Sequence, residues 1–106
     1  MTDTLIERLE KAEGAQQADL LREAVQLVHA NSNVRAMGWI DSGAYESAAL
    51  SLMPEGFAWT VAADKTAQAT VNKWGEISET GRAATPALAL CIACLKSRAH
   101  PTGEGR

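Results

Sequence analysis

Large aromatic side chains are scarce in this chain. Phe57 and Tyr45 are the only ones besides Trp39, Trp59 and Trp74. A core therefore has to be assembled mainly from alanine and leucine, the residues that fill helices most readily. Long apolar runs are lacking too. The longest, Ala87 to Leu95, has nine residues, against the ~20 needed to cross a bilayer, so no membrane association is expected. Two cysteines are too few for a disulfide framework. The start, Met1 followed by Thr2 and Asp3, has neither the basic nor the apolar region of a secretory signal. Together these absences predict a cytoplasmic protein.

Basic residues are in the minority, ten against thirteen acids. A general nucleic-acid binder needs a concentrated basic footprint to release counterions, and a net charge of −3 argues against one. The imbalance is local. Residues 1–30 and 31–80 each carry six acids and three bases, whereas 81–106 holds Arg82, Lys96, Arg98 and Arg106 against Glu104 alone. At 22%, charged residues are too few for a disordered chain. A chain of 106 residues has room for one domain, which would bury roughly two-thirds of its surface on folding.

What is present is helical spacing followed by strand spacing. Thr4-Leu5-Ile6-Glu7 has the form of a capping box. Behind it Leu5, Ile6, Leu9 and Ala12 fall on one stripe, Glu7 and Lys11 form an i,i+4 pair, and Gly14 stops the helix. A second helix, Gln17 to Ala30, turns Leu21, Ala24, Val25 and Val28 to one side, and Leu20 and Leu27 widen that face. Residues 34–41 follow no clean period. Asp41-Ser42-Gly43 resembles a cap before Tyr45, Ala48, Ala49 and Leu52, a third helix that Pro54 ends.

The period then changes to two. Phe57, Trp59 and Val61 alternate with Ala58, Thr60 and Ala62, which predicts a strand with a buried aromatic face. Asp64-Lys65 would be a hairpin tip. Ala67, Ala69 and Val71 mark a second strand whose small side chains let its neighbour come close. Residues 75–84 read as a loop, with at most a short strand around Ile77. The last helix opens on Thr85 as N-cap and Pro86 at its first position. Leu88, Cys91, Ile92, Leu95 and Ala99 form its apolar stripe, and Lys96 and Arg98 sit in the final turn, where the helix dipole favours them. His100-Pro101 ends it. The predicted fold is α+β: a single domain over 1–99, with an N-terminal helical pair (1–33), a helix-hairpin-helix core (41–99) and a disordered tail (100–106).

Three segments carry a resemblance to a known family. Thr85-Pro-Ala-Leu-Ala-Leu-Cys-Ile-Ala-Cys-Leu-Lys-Ser-Arg-Ala99, Met53-Pro-Glu-Gly-Phe-Ala-Trp-Thr-Val61 and the opening Leu5-Ile-Glu-Arg-Leu-Glu-Lys-Ala-Glu-Gly14 are similar to small phage and prophage proteins of the phage ABA-sandwich domain family. The resemblance implies a compact α+β unit of phage or prophage origin, and it implies no reaction.

Candidate chemistry is thin. In Cys91-Ile-Ala-Cys94 both thiols fall in the middle of a helix, not at the N-terminus where a redox pair is activated. A zinc site lacks further ligands at suitable spacing. Both cysteines are expected to be core residues binding no metal. His29 ends the second helix, which suits a cap or surface role. Asp41, Ser42 and Tyr45 could be drawn as a hydrolytic cluster, but the first two read better as caps. No phosphate loop, nucleophile elbow or paired-histidine motif appears, so neither an enzyme nor a cofactor is expected. Trp74, between a small-residue strand and Gly75, is the candidate for an exposed contact, with Lys73 and Arg82 beside it in sequence.

These readings lead to a non-enzymatic binding module, a phage-encoded accessory protein expected to associate with a host protein such as a defence factor. The alternative is an oligomeric binder of a small nucleotide signal. A symmetric homodimer is expected, because a two-stranded sheet leaves unpaired edges and the second helix has more apolar face than one neighbour covers.

Overall fold

Apolar residues three and four apart make the first two helices. The computed structural model, which describes residues 2–29, 34–53, 57–63, 66–73 and 77–98, has them as α1 (Thr2–Lys11) and α2 (Gln17–Val28). Leu5, Ile6, Leu9 and Ala12 are buried from the first, and Leu20, Leu21, Ala24 and Val25 from the second. Leu27, expected to widen the face of α2, is 44% exposed. α1 starts ahead of Thr4, so the Thr4–Glu7 capping box lies inside the helix instead of opening it.

Residues 34–41 form α3 (Val34–Asp41), with Ala36 and Ile40 buried and Val34 85% exposed. Ala36 and Ile40 adjoin on one face as an i,i+4 pair, and two buried residues make too short a stripe to read from the sequence. Its end is a Schellman turn. Gly43 adopts φ 87°, its N–H donates to the Ile40 carbonyl (3.1 Å), and the Ala44 N–H donates to the Trp39 carbonyl (2.7 Å). Asp41-Ser42-Gly43 therefore finishes α3 and does not cap α4 (Tyr45–Leu50), whose N-cap position is held by Ala44 with no side-chain bond. Ser42 Oγ donates back to the Trp39 carbonyl, and Asp41 accepts from Arg22.

The strands are β1 (Ala58–Ala63), β2 (Ala67–Lys73) and β3 (Ile77–Ala83), an antiparallel sheet in the order β1-β2-β3. Seven residues expected mostly to be loop thus form a full third strand. Ile77 to Ala83 carries glycine, threonine and charge, and only its pairing with β2 and its contact with the last helix make it a strand. Ala67, Ala69 and Val71 are buried in β2, as the alternation predicts. The aromatic face of β1 departs from expectation. Trp59 is 45% exposed, and Phe57 and Val61 are only half-buried.

The cause is the position of α5 (Pro86–Arg98), which lies over β2 and β3 and only grazes β1. Thr85 caps it, accepting the Leu88 N–H at 3.2 Å and donating to Gln17 Oε1 at 2.9 Å. More than a stripe of α5 is buried: every residue from Ala87 to Leu95 is, with Ser97. A helix apolar all round is a central one. Here the sheet covers one side and α1, α2 and α4 the other. Gly81 makes the contact with β3 possible. A Cβ there would run into the Ala89 carbonyl oxygen and stand 2.7 Å from Ile92 Cβ and 2.8 Å from the Ala93 nitrogen. The chain is a compact single α+β domain. The hairpin tip at Asp64-Lys65, Pro54, and the tail with His100-Pro101 lie outside the described residues.

Candidate functional site

Since α5 covers one face of the sheet, strand alternation decides what the other face presents. The register aligns three rows across it: Ala58–Asn72–Ser78, Thr60–Thr70–Thr80 and Ala62–Gln68–Arg82. Thr70 and Thr80 join their hydroxyls at 3.1 Å, and Arg82 Nε donates to Gln68 Oε1 at 3.0 Å. This open face is made of small and polar side chains, and Thr60, Gln68, Asn72 and Arg82 on it are exposed.

A groove of about 340 Å³ runs from the Arg82 corner round the β3 edge, lined by Glu10, Gln68, Thr80, Arg82 and Lys96. Lys96 Nζ donates to the Thr80 backbone carbonyl at 3.1 Å and lies 3.8 Å from Glu10 Oε2. The Nε–Gln68 bond tethers the Arg82 guanidinium. Two cations against one carboxylate could hold a small anion. A second groove, about 440 Å³ between α1 and α2, is crossed by the Arg8–Glu23 pair at 2.7 Å, whose charges satisfy each other. The hydrogen bond from Arg8 holds the Glu23 carboxyl below its ordinary range.

Of the residues singled out from sequence, Arg82 lies in this polar groove. Lys73 pairs with Ile77 at one end of β2, whereas Arg82 pairs with Gln68 five positions along, roughly 17 Å of strand away. The register therefore does not bring Lys73 and Arg82 together, and Trp74 lies outside the described residues. Gln68, Thr80 and Lys96 complete the groove and were not legible as a set. Their meeting depends on β3, a strand with no apolar alternation. Trp59, expected on a buried face, stands exposed.

The remaining candidates are accounted for by packing. Cys91 and Cys94 are free thiols in the core. Burial, with a contribution from Cys94, pushes the Cys91 thiol far up. Burial likewise pushes Cys94 up to about 12, with Arg98 pulling the other way. Neither is an activated thiolate. His29 Nε2 donates to the Ser51 carbonyl at 2.7 Å, tying the end of α2 to the turn after α4. Asp41 serves the Arg22 ion pair at 2.8 Å and Ser42 the end of α3. Among the described residues no three His, Cys, Asp or Glu side chains gather to hold a metal ion, and no helix is long and apolar enough to cross a membrane. Compared with family models, with curated proteins and with solved structures, the chain matches none.

Proposed function

We propose that this chain is a non-enzymatic binding module, a phage or prophage accessory protein that acts by association with a host factor. One observation carries the reading: the sheet is covered on a single face, leaving Thr60, Gln68, Asn72 and Arg82 exposed in register on the other. An array of hydrogen-bonding groups on a sheet backed by a packed helix suits recognition of a polar protein surface. The resemblance of 53–61 and 85–99 to phage proteins supplies the biological setting. The test is capture from host lysate with the wild type and with Arg82→Glu, which reverses the charge at a corner of the open face. Loss of a specifically retained host protein in the variant supports the reading. Equal retention by both, or none by either, removes it.

A second reading, a binder of a small anionic ligand such as a nucleotide, is favoured by the groove where Arg82 and Lys96 flank Gln68 and Thr80. A thermal-shift series with nucleotides separates the two. A rise in melting temperature for the wild type that Lys96→Ala abolishes supports the ligand binder.

A further inference from the structure

The sheet has two edges, and the chain protects one of them. Along β3, Lys96 occupies the outward Thr80 carbonyl, and Glu79 and Arg82 place charge on the strand. Lysine and charge on an edge are the usual means of preventing strand addition. Among the described residues, β1 has none of these. Ala-Trp-Thr-Val-Ala-Ala contains no charge, proline or glycine, and five of its six residues are exposed.

Ladder geometry says which backbone groups β1 offers. The Thr80 carbonyl accepts from Lys96, so it faces away from β2. Antiparallel pairs alternate along and across the sheet. Thr70 therefore turns its backbone groups to β1, and Thr60, its partner, turns its own to β2. The N–H and C=O groups of Trp59 and Val61 then point outward.

We propose that β1 pairs antiparallel with β1 of a second copy about a two-fold axis at Thr60, joining two three-stranded sheets into one. This goes beyond the binding-module reading by naming a partner for the β1 edge. In this register each Trp59 faces Val61 of the other copy, and both pairs exchange backbone hydrogen bonds. Aromatic and β-branched residues are a favourable cross-strand combination. Ala58 faces Ala62, and the Thr60–Thr70–Thr80 row continues into its symmetry mate. A shift of the axis to Val61 would set Trp59 against Ala63 and lose both favourable pairs. The open face is not consumed; it is doubled.

The test uses the intact chain. Sedimentation equilibrium of the wild type at tens of micromolar should give twice 11.3 kDa. Thr60 is exposed, so Thr60→Lys and Thr60→Glu leave the core untouched, while each sets like charges together on the axis. Each variant alone should sediment as a monomer with unchanged circular dichroism, and their equimolar mixture should recover the doubled mass. Hydrogen exchange gives an independent readout. The amides of Trp59 and Val61 should gain protection as concentration rises, whereas that of Thr60, already bonded to β2, should not change. A wild type of single mass, or charge variants that remain dimeric by themselves, would overturn the proposal. A dimer whose Arg82→Glu variant retains the same host protein would remove the open-face reading and leave this pairing standing.

Discussion

At the β3 edge Lys96 and Glu10 stand over the outer backbone of Thr80, and Gly81 and Ala83 are buried under α5. At the β1 edge Trp59 remains 45% exposed on a strand without a single charge. The two edges belong to one small sheet, yet one is built into the core and the other lies beside it. The difference comes from where a single helix sits. α5 is central because it is apolar on all sides. Its approach is closest at Gly81, with Ala67, Ala69 and Ala83 around it in β2 and β3. In β1, Val61 stands in the row of Ala69 and Gly81, and Trp59 in the row of Val71 and Glu79; these bulkier side chains lie at the margin of the helix. The lesson is that, on the face turned to α5, the smallest side chain marks where the helix comes closest.

That comparison can be broken most directly at the α5 side. Leu88 is fully buried, and Leu88→Ala should lower stability by about 2–5 kcal/mol through lost transfer energy and the cavity left. Trp59→Ala, in the same denaturation series at concentrations too low for association, should cost roughly 1 kcal/mol despite removing more atoms. Equal losses would mean that β1 is as much part of the core as α5.

Gly81→Ala sharpens the point about close approach. Its new methyl meets backbone atoms of α5, so the helix must move off the sheet, at about 1–3 kcal/mol. Ala62→Val on the exposed strand should change stability by less than ~0.5 kcal/mol. Urea unfolding midpoints of the two variants test the contrast, and a neutral Gly81→Ala would refute it.

Thr85→Ala should cost about 1 kcal/mol. The hydroxyl caps α5 and also bonds Gln17, so its loss loosens the helix that holds β3 in place. Thermal unfolding reads the effect, and Thr85→Ser should restore most of it.

Lys96→Ala should change monomer stability little, by roughly 0.5 kcal/mol, yet it uncovers the Thr80 carbonyl. If Lys96 guards that edge, the variant should show a concentration-dependent mass above that of the wild type. Unchanged sedimentation would show that the β3 edge is protected by something else.

Much of the helical framework was legible in the chain. The stripes of α1 and α2 and the Thr85-Pro86 start of α5 follow from 3.6-residue periodicity and capping chemistry, which are local properties. The small residues of β2 likewise announced a close neighbour. α3 was not readable, since Val34 is 85% exposed and Ala36 and Ile40 alone are buried. The role of Asp41-Ser42-Gly43 was misread for a related reason. Cap residues suit either side of a turn, and the positive φ of Gly43 assigns them to the helix before it. As for the candidate site, Arg82 could be named from sequence, but its neighbours Gln68, Thr80 and Lys96 could not.

By itself the order of residues determined that the segments of α1, α2, α4 and α5 coil, where α5 begins, which thiols are hidden and that the domain is α+β. These depend on the spacing of apolar side chains and on backbone groups satisfied within a few residues. Only the tertiary structure decided that β3 exists, that Trp59 is left exposed, that Lys96 reaches the Thr80 carbonyl and that Lys73 and Arg82 lie apart. Each of these depends on contacts between residues distant in the chain. Strand pairing in particular is decided by which neighbour a segment meets, and a segment such as Ile77–Ala83 carries no local pattern strong enough to announce it.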